Sequence, residues 1–488
     1  MPPCRDCSQP EQMPVTDLRP LHDWSGPPAV LTLWRPSAAS MERAKRAPVS
    51  PVLPSYEQEQ HLYAFRACEL RHEAMARLLV VVWDEPGRCD LRAMTHVVTA
   101  HVRRHDTYHS WFEELGGAIV RHVLPDPAAI QMEPSTLGEA CAEDWQKHVM
   151  ATPSPFAWDC FRFGILQRAS GFTCFASIDH LHADATIIAF LMTEIRSAYR
   201  AVLDGERPLQ LGSPGSYLDY CSSQRQRAAA TNLADPEVSR WIAFLHRNGG
   251  RMPTFALPLG VPEDRYHAEY LHMDILEDTV MDAFESACHA AGARAIGGLL
   301  ACAALTEQEL AGRSHYSVVT PTTTRRSPKA FRTSGWCVGV VPIDFDVQQR
   351  RFPGLAFTAQ RNFDERMSLA ELPIELVLEL AAGLPTVGSV ASGGVMLSYV
   401  DVNVPPLSAQ IAREWHQANG RVYINQGVAA QVAIWLFRTQ RGLSLTAAYP
   451  ANETARASMH RYVKAFAGAC RRAAEALLPT YSDVGRER

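Results

Sequence analysis

The stretch SIDHLHADATI, residues 177–187, places two histidines and two aspartates within six positions. In front of it, apolar residues alternate over 172–178, a pattern that predicts a β-strand. Behind it, apolar residues from Ile187 to Val202 recur at helical spacing. The polar residues are therefore predicted to lie on a strand-to-helix connection, where side chains can be directed into a cleft.

Three interpretations of this connection compete. H-x-H-x-D begins the zinc pattern of metallo-β-lactamases, but that pattern continues with a third histidine where this chain has Ala185. In the second interpretation, Asp184 only caps the following helix by accepting its first backbone N–H groups. In the third, His180 and Asp184 have the H-x-x-x-D spacing of a general base and its structural partner in acyl transfer. Imidazole suits that work because its pKa lies near neutrality.

Composition limits the classes of function. The chain has 488 residues and is 47% hydrophobic, which is enough for sizeable cores in roughly two to three domains. Lys plus Arg number 47 and Asp plus Glu number 52, so the net charge of −5 offers no basic field for nucleic acid. We find no apolar run of membrane-spanning length and no secretion signal in the sequence.

The 12 cysteines are scattered along the chain. Cys4 and Cys7 form a C-x-x-C pair, but no second pair stands at the spacing of a zinc site. Scattered thiols of this kind predict a reducing, cytoplasmic compartment.

The chain divides into four segments. Residues 1–14 are Pro-rich and polar and are predicted to be disordered. Residues 15–205 are predicted to form a first lobe that carries H-x-x-x-D, and residues 236–488 a second lobe. Between them, residues 206–235 are rich in Gly, Pro, Ser and Ala and are predicted to connect the two lobes.

Both lobes are predicted to mix strands and helices. In the first, Asp90 is the predicted N-cap of a helix over 91–104, a second helix starts near Ser55, and strands are predicted at 30–34, 77–83 and 118–123. In the second, we predict helices at 236–247, 278–291, 296–311 and 453–477, and strands at 316–320, 336–345, 395–402, 421–426, 430–438 and 443–448. This order is not a simple βαβ alternation, so a two-lobed α/β or α+β sandwich is favoured over a barrel.

Five segments, in this order along the chain, match patterns of one family. They are SYEQEQHL at 55–62 (S-x-x-Q-x-x-L), RHDTYHSWF at 104–112 (R-H-x-x-L-R-T-x-F), DHLHADA at 179–185 (H-H-x-x-x-D-G), SYLDY at 216–220 (Y-x-D-F/Y) and GWCVGVVPI at 335–343 (G-x-F-V-N-T). Together they resemble the condensation-domain superfamily. Among its branches, the chain looks most similar to the stand-alone, polyketide-associated (Pap-type) acyltransferases of actinobacteria that build trehalose lipids, on TPSPFAWDCFRFGIL (152–166), SIDHLHADAT (177–186) and TPTTTRR (320–326).

The resemblance implies a fold and a set of site residues. Two chloramphenicol-acetyltransferase-like lobes would form a V-shaped pseudo-dimer, with substrates meeting at His180, the general base. Asp184 would hold the loop by pairing with an arginine, for which Arg325 is the first choice and Arg326 the alternative.

Neighbouring residues have weaker assignments. His182 and Trp336 are candidates for contact with substrate, against the alternative that each one only packs. His105 and Asp106 are predicted to serve packing rather than chemistry.

The implied reaction moves a fatty or polyketide acyl group from coenzyme A or a carrier protein to a hydroxyl of trehalose or a related glycolipid. No metal or bound redox cofactor is implied, since the thioester donor is itself a substrate. The implied partners are the acyl donor, the glycolipid acceptor and a polyketide synthase or carrier protein. Any association with membranes would be peripheral.

Two other classes of function stay open. One is an amide-forming condensation enzyme, and the other is a non-catalytic protein that recruits a carrier protein. The intact His180 and Asp184 argue against the second class. However, the family's first histidine, mainly structural there, is Asp179 here, and its glycine after the aspartate is Ala185. These departures put the fine geometry of the loop in doubt.

Overall fold

The computed structural model describes residues 18–205, 211–261, 264–347, 351–382, 394–405 and 407–475, and the segment 1–14 that we predicted to be disordered lies outside them. The strands among these residues are, in chain order, β1 (Leu18–Pro20), β2 (Ala29–Pro36), β3 (Leu78–Pro86), β4 (Ser110–Leu115), β5 (Ala118–Val123), β6 (Met132–Ala140), β7 (Phe161–Gln167), β8 (Gly171–Asp179), β9 (Tyr266–Glu277), β10 (His315–Thr323), β11 (Val338–Asp346), β12 (Met396–Asp401), β13 (Arg421–Ile424), β14 (Val428–Ala429), β15 (Ala433–Thr439) and β16 (Gly442–Pro450).

The α-helices of the same residues are α1 (Ala38–Lys45), α2 (Tyr56–Leu70), α3 (Leu91–Arg104), α4 (Ala142–Met150), α5 (Ala185–Leu203), α6 (Tyr217–Ala230), α7 (Pro236–Arg247), α8 (Asp278–Ala290), α9 (Ala295–Ala311), α10 (Phe352–Arg366), α11 (Ile374–Ala381), α12 (Ala409–Gln417) and α13 (Glu453–Glu475). None of these helices alone has both the length and the apolar character to cross a bilayer. The pair α8 and α9, bent by 94°, meets that test of length and composition when the two are taken together.

Two seven-stranded sheets organise the molecule. The first has the order β1-β13-β3-β8-β7-β2-β6, and the second β11-β10-β12-β15-β16-β9-β14. The first sheet is covered on one face by α3 and α5, and the second packs against α8, α9, α10 and α13 around a core of its own. The predicted mixed α/β fold is therefore confirmed.

The run LLVVVW, residues 78–83, forms the centre of the first sheet as β3. Val80 faces one hydrophobic core and Val81 the opposite core, and neither has any exposed surface. Successive side chains of a strand point to opposite faces. A strand covered on both faces therefore needs a nearly continuous apolar run, which explains this stretch of sequence.

One crossover from the second half completes the first sheet. β13 pairs antiparallel with β3, placing Val422 opposite Val81. The preceding helix α12 packs on α5, where Trp415 Nε1 donates to the carbonyl of Ala189 at 3.0 Å. A Cβ at Gly420 would lie 2.1 Å from the Trp415 ring, so only glycine lets the chain turn here. Residues 409–424 lie in the range predicted for the second lobe, yet they pack on the first sheet.

Residues 211–235, the described part of the predicted connecting segment, are more ordered than their composition suggests. They contain α6, which starts where the carboxylate of Asp106 accepts hydrogen bonds from Ser216 Oγ at 2.5 Å and from the backbone N–H of Tyr217 at 2.8 Å. Hydrophobic periodicity did not predict this helix, because few of its residues are both apolar and buried. Ser216 is the local N-cap, since its Oγ accepts from the N–H of Asp219 at 3.0 Å, and the contact with Asp106 is the tertiary addition.

Six of the described strands were not predicted, namely β1, β4, β6, β7, β9 and β14. β9 is 12 residues long and pairs with β16, but most of its side chains are only half-buried, so no clean alternation marks it. The predicted strand 336–345 begins later, at Val338, so Trp336 lies on the loop before β11 rather than on the strand itself.

Candidate active site

The loop of residues 180–184 is fixed first by its backbone. It begins as a short 3₁₀ turn over His180–His182, directly after β8. The N–H of His180 donates to the carbonyl of Arg77 at 2.8 Å, and the N–H of Asp179 to that of Cys160 at 3.0 Å. Arg77 directly precedes β3 and Cys160 directly precedes β7, so neighbouring strands of the first sheet hold the loop.

Asp184 both caps α5 and forms an ion pair. Its Oδ1 accepts the N–H groups of Thr186 and Ile187 at 3.1 and 3.2 Å. Its Oδ2 accepts from Arg325 Nη1 at 2.5 Å and from the N–H of Cys337 at 2.9 Å. Asp184 therefore does more than cap the helix, because its two carboxylate oxygens bind different elements.

Arg325 comes from the second half, two residues after the end of β10, and is buried. Its remaining N–H groups donate to the backbone carbonyls of Ala330, Thr333 and Gly335 at 2.9–3.1 Å. Burial acts to lower the pKa of Arg325, but the Asp184 carboxylate outweighs it and the pKa is raised. The Arg325 guanidinium therefore stays charged although it is buried, because the Asp184 carboxylate and three carbonyls accept its N–H groups.

Arg326 takes no part in this arrangement. Its Nε donates to Glu371 at 2.9 Å, and its side chain is half exposed. The predicted choice of Arg325 over Arg326 as the partner of Asp184 is found in the structure.

His180 is the candidate base of the loop. Its side chain is partly exposed, and its ring lies against Trp336 with 3.8 Å between ring centroids. Nδ1 is buried, which leaves Nε2 as the ring nitrogen available to a substrate. Burial, followed by the charge of His61, lowers the pKa of His180 to about 4, against an opposing effect of Asp184. The imidazole is therefore uncharged at neutral pH and can accept a proton.

Asp179, the departure from the family pattern, is wholly buried between an imidazole and a guanidinium. Its Oδ1 contacts His61 Nε2 at 2.8 Å, and its Oδ2 accepts from Arg77 Nη1 at 2.7 Å. Burial opposes ionisation, but His61 and Arg77 lower the pKa of Asp179 to about 2. Neither partner is among the site residues predicted from the sequence. The sequence feature that indicates His61 is its spacing, because it follows Gln58 by three residues and so lies on the same face of the helix.

His182 has no exposed surface. Its Nδ1 is hydrogen-bonded to Thr107 Oγ1 at 2.9 Å, and its Nε2 contacts Cys160 Sγ at 3.2 Å. Burial lowers its pKa to about 4. The suggestion that His182 touches substrate is therefore corrected, because both ring nitrogens are engaged inside the protein and the alternative packing role explains its place.

Trp336 remains a candidate for substrate contact. It is half-buried, and its carbonyl accepts a hydrogen bond from the hydroxyl of Tyr217 at 3.1 Å. The preceding Gly335 has φ of 144°, and a Cβ there would lie 2.2 Å from the Tyr217 ring. Glycine is thus required for the close approach that presents Trp336 to His180.

The family segments converge on this loop. Gln58 completes the cap of α2 with Ser55 and donates from Nε2 to the carbonyl of Leu181 at 3.0 Å. Ser55 Oγ lies 3.2 Å from Tyr217 Oη, which also reaches Trp336. Segments scattered from residue 55 to 343 therefore form one hydrogen-bonded frame around His180.

A buried cluster of His101, His105 and Glu194 has the residue types of a metal site. The atoms that could bind a metal already form hydrogen bonds with one another and with Arg104. Glu194 accepts from His101 Nδ1 at 2.7 Å and from Arg104 Nε at 3.1 Å, and it lies 3.2 Å from His105 Nε2. A guanidinium on the carboxylate disfavours a cation. His105 Nδ1 also faces the N–H of Ser334 at 3.4 Å, so the cluster supports the site from behind. That position matches the packing role predicted for His105.

Comparison with known proteins agrees with this geometry. The profile of the Condensation domain family matches residues 64–384. The chain is 39% identical over 459 residues to the 2'-acyl-2-O-sulfo-trehalose (hydroxy)phthioceranyltransferase PapA1 of Mycobacterium tuberculosis, covering 94% of this chain and 89% of that protein. It is 39% identical over 467 residues to trehalose-2-sulfate acyltransferase PapA2 of Mycobacterium tuberculosis, covering 96% of this chain and 98% of that protein.

Solved structures extend the comparison to three dimensions. A PapA2 acyl transferase superimposes with a TM-score of 0.90 at 37% identity, over 94% of this chain and 100% of that one. The first condensation domain of the calcium-dependent antibiotic synthetase gives a TM-score of 0.64 at 15% identity, over 86% and 96%, and shares the fold. The chain belongs to the condensation-domain family and, within it, is an acyltransferase of the Pap type.

Proposed function

We propose that this acyltransferase moves a fatty or polyketide acyl group from a coenzyme A or carrier-protein thioester to a hydroxyl of a trehalose-type glycolipid, with His180 as the general base. One observation carries the proposal: His180 is an uncharged, partly exposed imidazole on a loop that the Asp184–Arg325 pair fixes between the two halves. The names of PapA1 and PapA2 support the acceptor class, since both act on sulfated trehalose.

The chemistry assigned to His180 has two parts. Its Nε2 accepts the proton of the acceptor hydroxyl as that oxygen attacks the thioester carbonyl. When the tetrahedral intermediate collapses, the carbon–sulfur bond breaks and the imidazolium returns the proton to the thiolate, which leaves as a thiol. A pKa of about 4 keeps the ring free of a proton at rest and makes its conjugate acid a good donor to sulfur.

Asp184 does not act on the proton in this scheme. Both of its oxygens are already bonded, one to the first turn of α5 and the other to Arg325 and Cys337. Its role is to hold the loop so that His180 keeps one orientation relative to a bound acceptor.

We also place the reaction in the cytoplasm, where acyl thioesters are made. All ten cysteines among the described residues are free thiols, which suits a reducing compartment.

The test is a product assay with purified protein. Acyl-CoAs of several chain lengths are offered with trehalose, trehalose-2-sulfate and primary amines, and the products are identified by mass spectrometry. We expect esters with a trehalose acceptor and their loss in His180→Ala. Amide products would favour the condensation alternative, and an inactive protein with every donor and acceptor would favour the recruiting role.

A further inference from the structure

The carboxylate of Asp179 stands where the family pattern has its first histidine. A buried carboxylate without partners is unstable, so the substitution has to be compensated. Arg77 Nη1 at 2.7 Å and His61 Nε2 at 2.8 Å provide the compensation, together with the backbone N–H of Leu181 at 3.2 Å. An imidazole is thus present beside the loop after all, but it comes from α2 rather than from position 179.

His61 is in contact with the other groups that surround His180. Its side chain is 3% exposed, and its ring meets the Trp336 ring edge-on at a centroid distance of 5.5 Å. The centroids of the His61 and His180 rings are 6.4 Å apart. Because α2 also carries Gln58, whose amide holds Leu181, one helix fixes both sides of the catalytic turn.

We propose that His61 is a positioning residue of the acyl-transfer site, which orders Trp336 and Asp179 around His180 and sets the pH range over which His180 can accept a proton. Two imidazoles this close resist being protonated together, because like charges repel in a water-poor site. A positive charge on His61 therefore opposes protonation of His180. This inference rests on the proposed role of His180 as the base.

Other charged groups face the same space as the two rings. Asp184 is neutralised by Arg325, and Asp179 is shared between His61 and Arg77. Asp184 and Asp179 act to raise the pKa of His180 and so oppose the effect of His61. His61 is the neighbour that pushes the pKa of His180 further in the direction set by burial.

The test is the pH dependence of kcat/KM for His61→Gln. Glutamine keeps a donor for Asp179 but cannot take up a proton. We expect the acid limb of the profile, where His180 becomes protonated, to move to higher pH, with a small change in melting temperature. His96→Gln is the matched control, since His96 is exposed on α3 and should leave the profile unchanged. A folded His61→Gln protein with the wild-type acid limb would overturn the proposal.

A second variant covers the case in which His61→Gln does not fold. His61→Asn places a smaller amide at the same position, and asparagine also cannot take up a proton. The acid limb of kcat/KM should again move to higher pH, and a folded His61→Asn protein with the wild-type acid limb would overturn the inference. If His180→Ala instead kept full activity, the proposed function itself would fail, which separates the two outcomes.

Discussion

Arg325 and Asp184 lie 141 positions apart in the chain, and Arg325 Nη1 is 2.5 Å from Asp184 Oδ2. Neither residue is more than 3% exposed. The pair joins the loop of the first half to the second half in a site that water does not reach. Its energetics can therefore be measured as a coupling between the halves.

Removing one member of this pair should destabilise the protein strongly. Asp184→Ala and Arg325→Ala each leave a buried charge without its partner, which costs roughly 3–5 kcal/mol. The double variant should cost much less than the sum, and a double-mutant cycle by denaturant unfolding measures the difference. Arg326→Ala is the control, because the Arg326–Glu371 pair is exposed and should contribute little. Strictly additive effects of the two substitutions would contradict the pairing.

Substitution of the two histidines of the loop should have different effects, one on activity and the other on stability. His180→Ala should keep its melting temperature and lose on the order of 10²–10⁴-fold in activity, the value of general-base assistance. His182→Ala should instead lose stability, by roughly 2–5 kcal/mol as for other truncations in a core, and lose less activity per folded molecule. Activity and thermal unfolding measured on the same samples distinguish the two. A reversed pattern would move the base to His182.

Stability should fall as the pH is lowered below neutrality. His180 and His182 have pKa values of about 4 when folded, against the ordinary value of 6.5. Between these values the unfolded chain binds protons that the folded protein does not, so the free energy of unfolding decreases as pH falls through this window, by at most about 1.4 kcal/mol per pH unit for each histidine. His315, whose pKa is raised mainly by Asp344, works in the opposite direction as a single group.

Denaturant unfolding at pH 7.5, 6.5 and 5.5 measures this slope. His182→Asn should flatten it, since asparagine does not titrate in this range. A slope unchanged by the substitution would show that burial of His182 does not control its protonation.

Gly335 should be essential for the placement of Trp336. Gly335→Ala puts a Cβ into the Tyr217 ring and forces an L-residue to a φ of 144°, a strain of about 1–3 kcal/mol or more. We expect a lower melting temperature and lower activity, because the indole moves relative to His180. Gly354→Ala, where a Cβ would meet no atom within 4 Å, is the control and should have little effect. Normal activity in Gly335→Ala would contradict the role given to Trp336.

Activity should be independent of metal. The H-x-H-x-D pattern lacks its third histidine, and the cluster at Glu194 carries a guanidinium. Protein purified without added metal should contain no stoichiometric zinc and should keep its activity in a chelator, as measured by elemental analysis and product assay. One tightly bound zinc per chain, with activity lost on its removal, would contradict the acyl-transfer mechanism.

The sequence by itself determined the parts of this protein that depend on local pattern. The apolar run at 78–83 predicted a buried strand, Asp90 and Asp184 stood at helix starts, and the H-x-x-x-D spacing placed His180 on a connection between a strand and a helix. These features are readable because periodicity and capping involve residues only a few positions apart.

Only the tertiary structure decided which partners these residues have. His61 and Asp179 are 118 positions apart in the chain. His61 lies in the helix of the S-x-x-Q-x-x-L motif, but that motif specifies Gln58 and not His61. His182 follows His180 by two positions, yet the 3₁₀ turn sends its ring into the core, because a turn does not keep the alternation of a strand. Similarly, Arg325 and Arg326 are adjacent and chemically alike. The fold of the second half buries the first beside Asp184 and leaves the second at the surface, since neighbouring side chains leave the backbone in different directions.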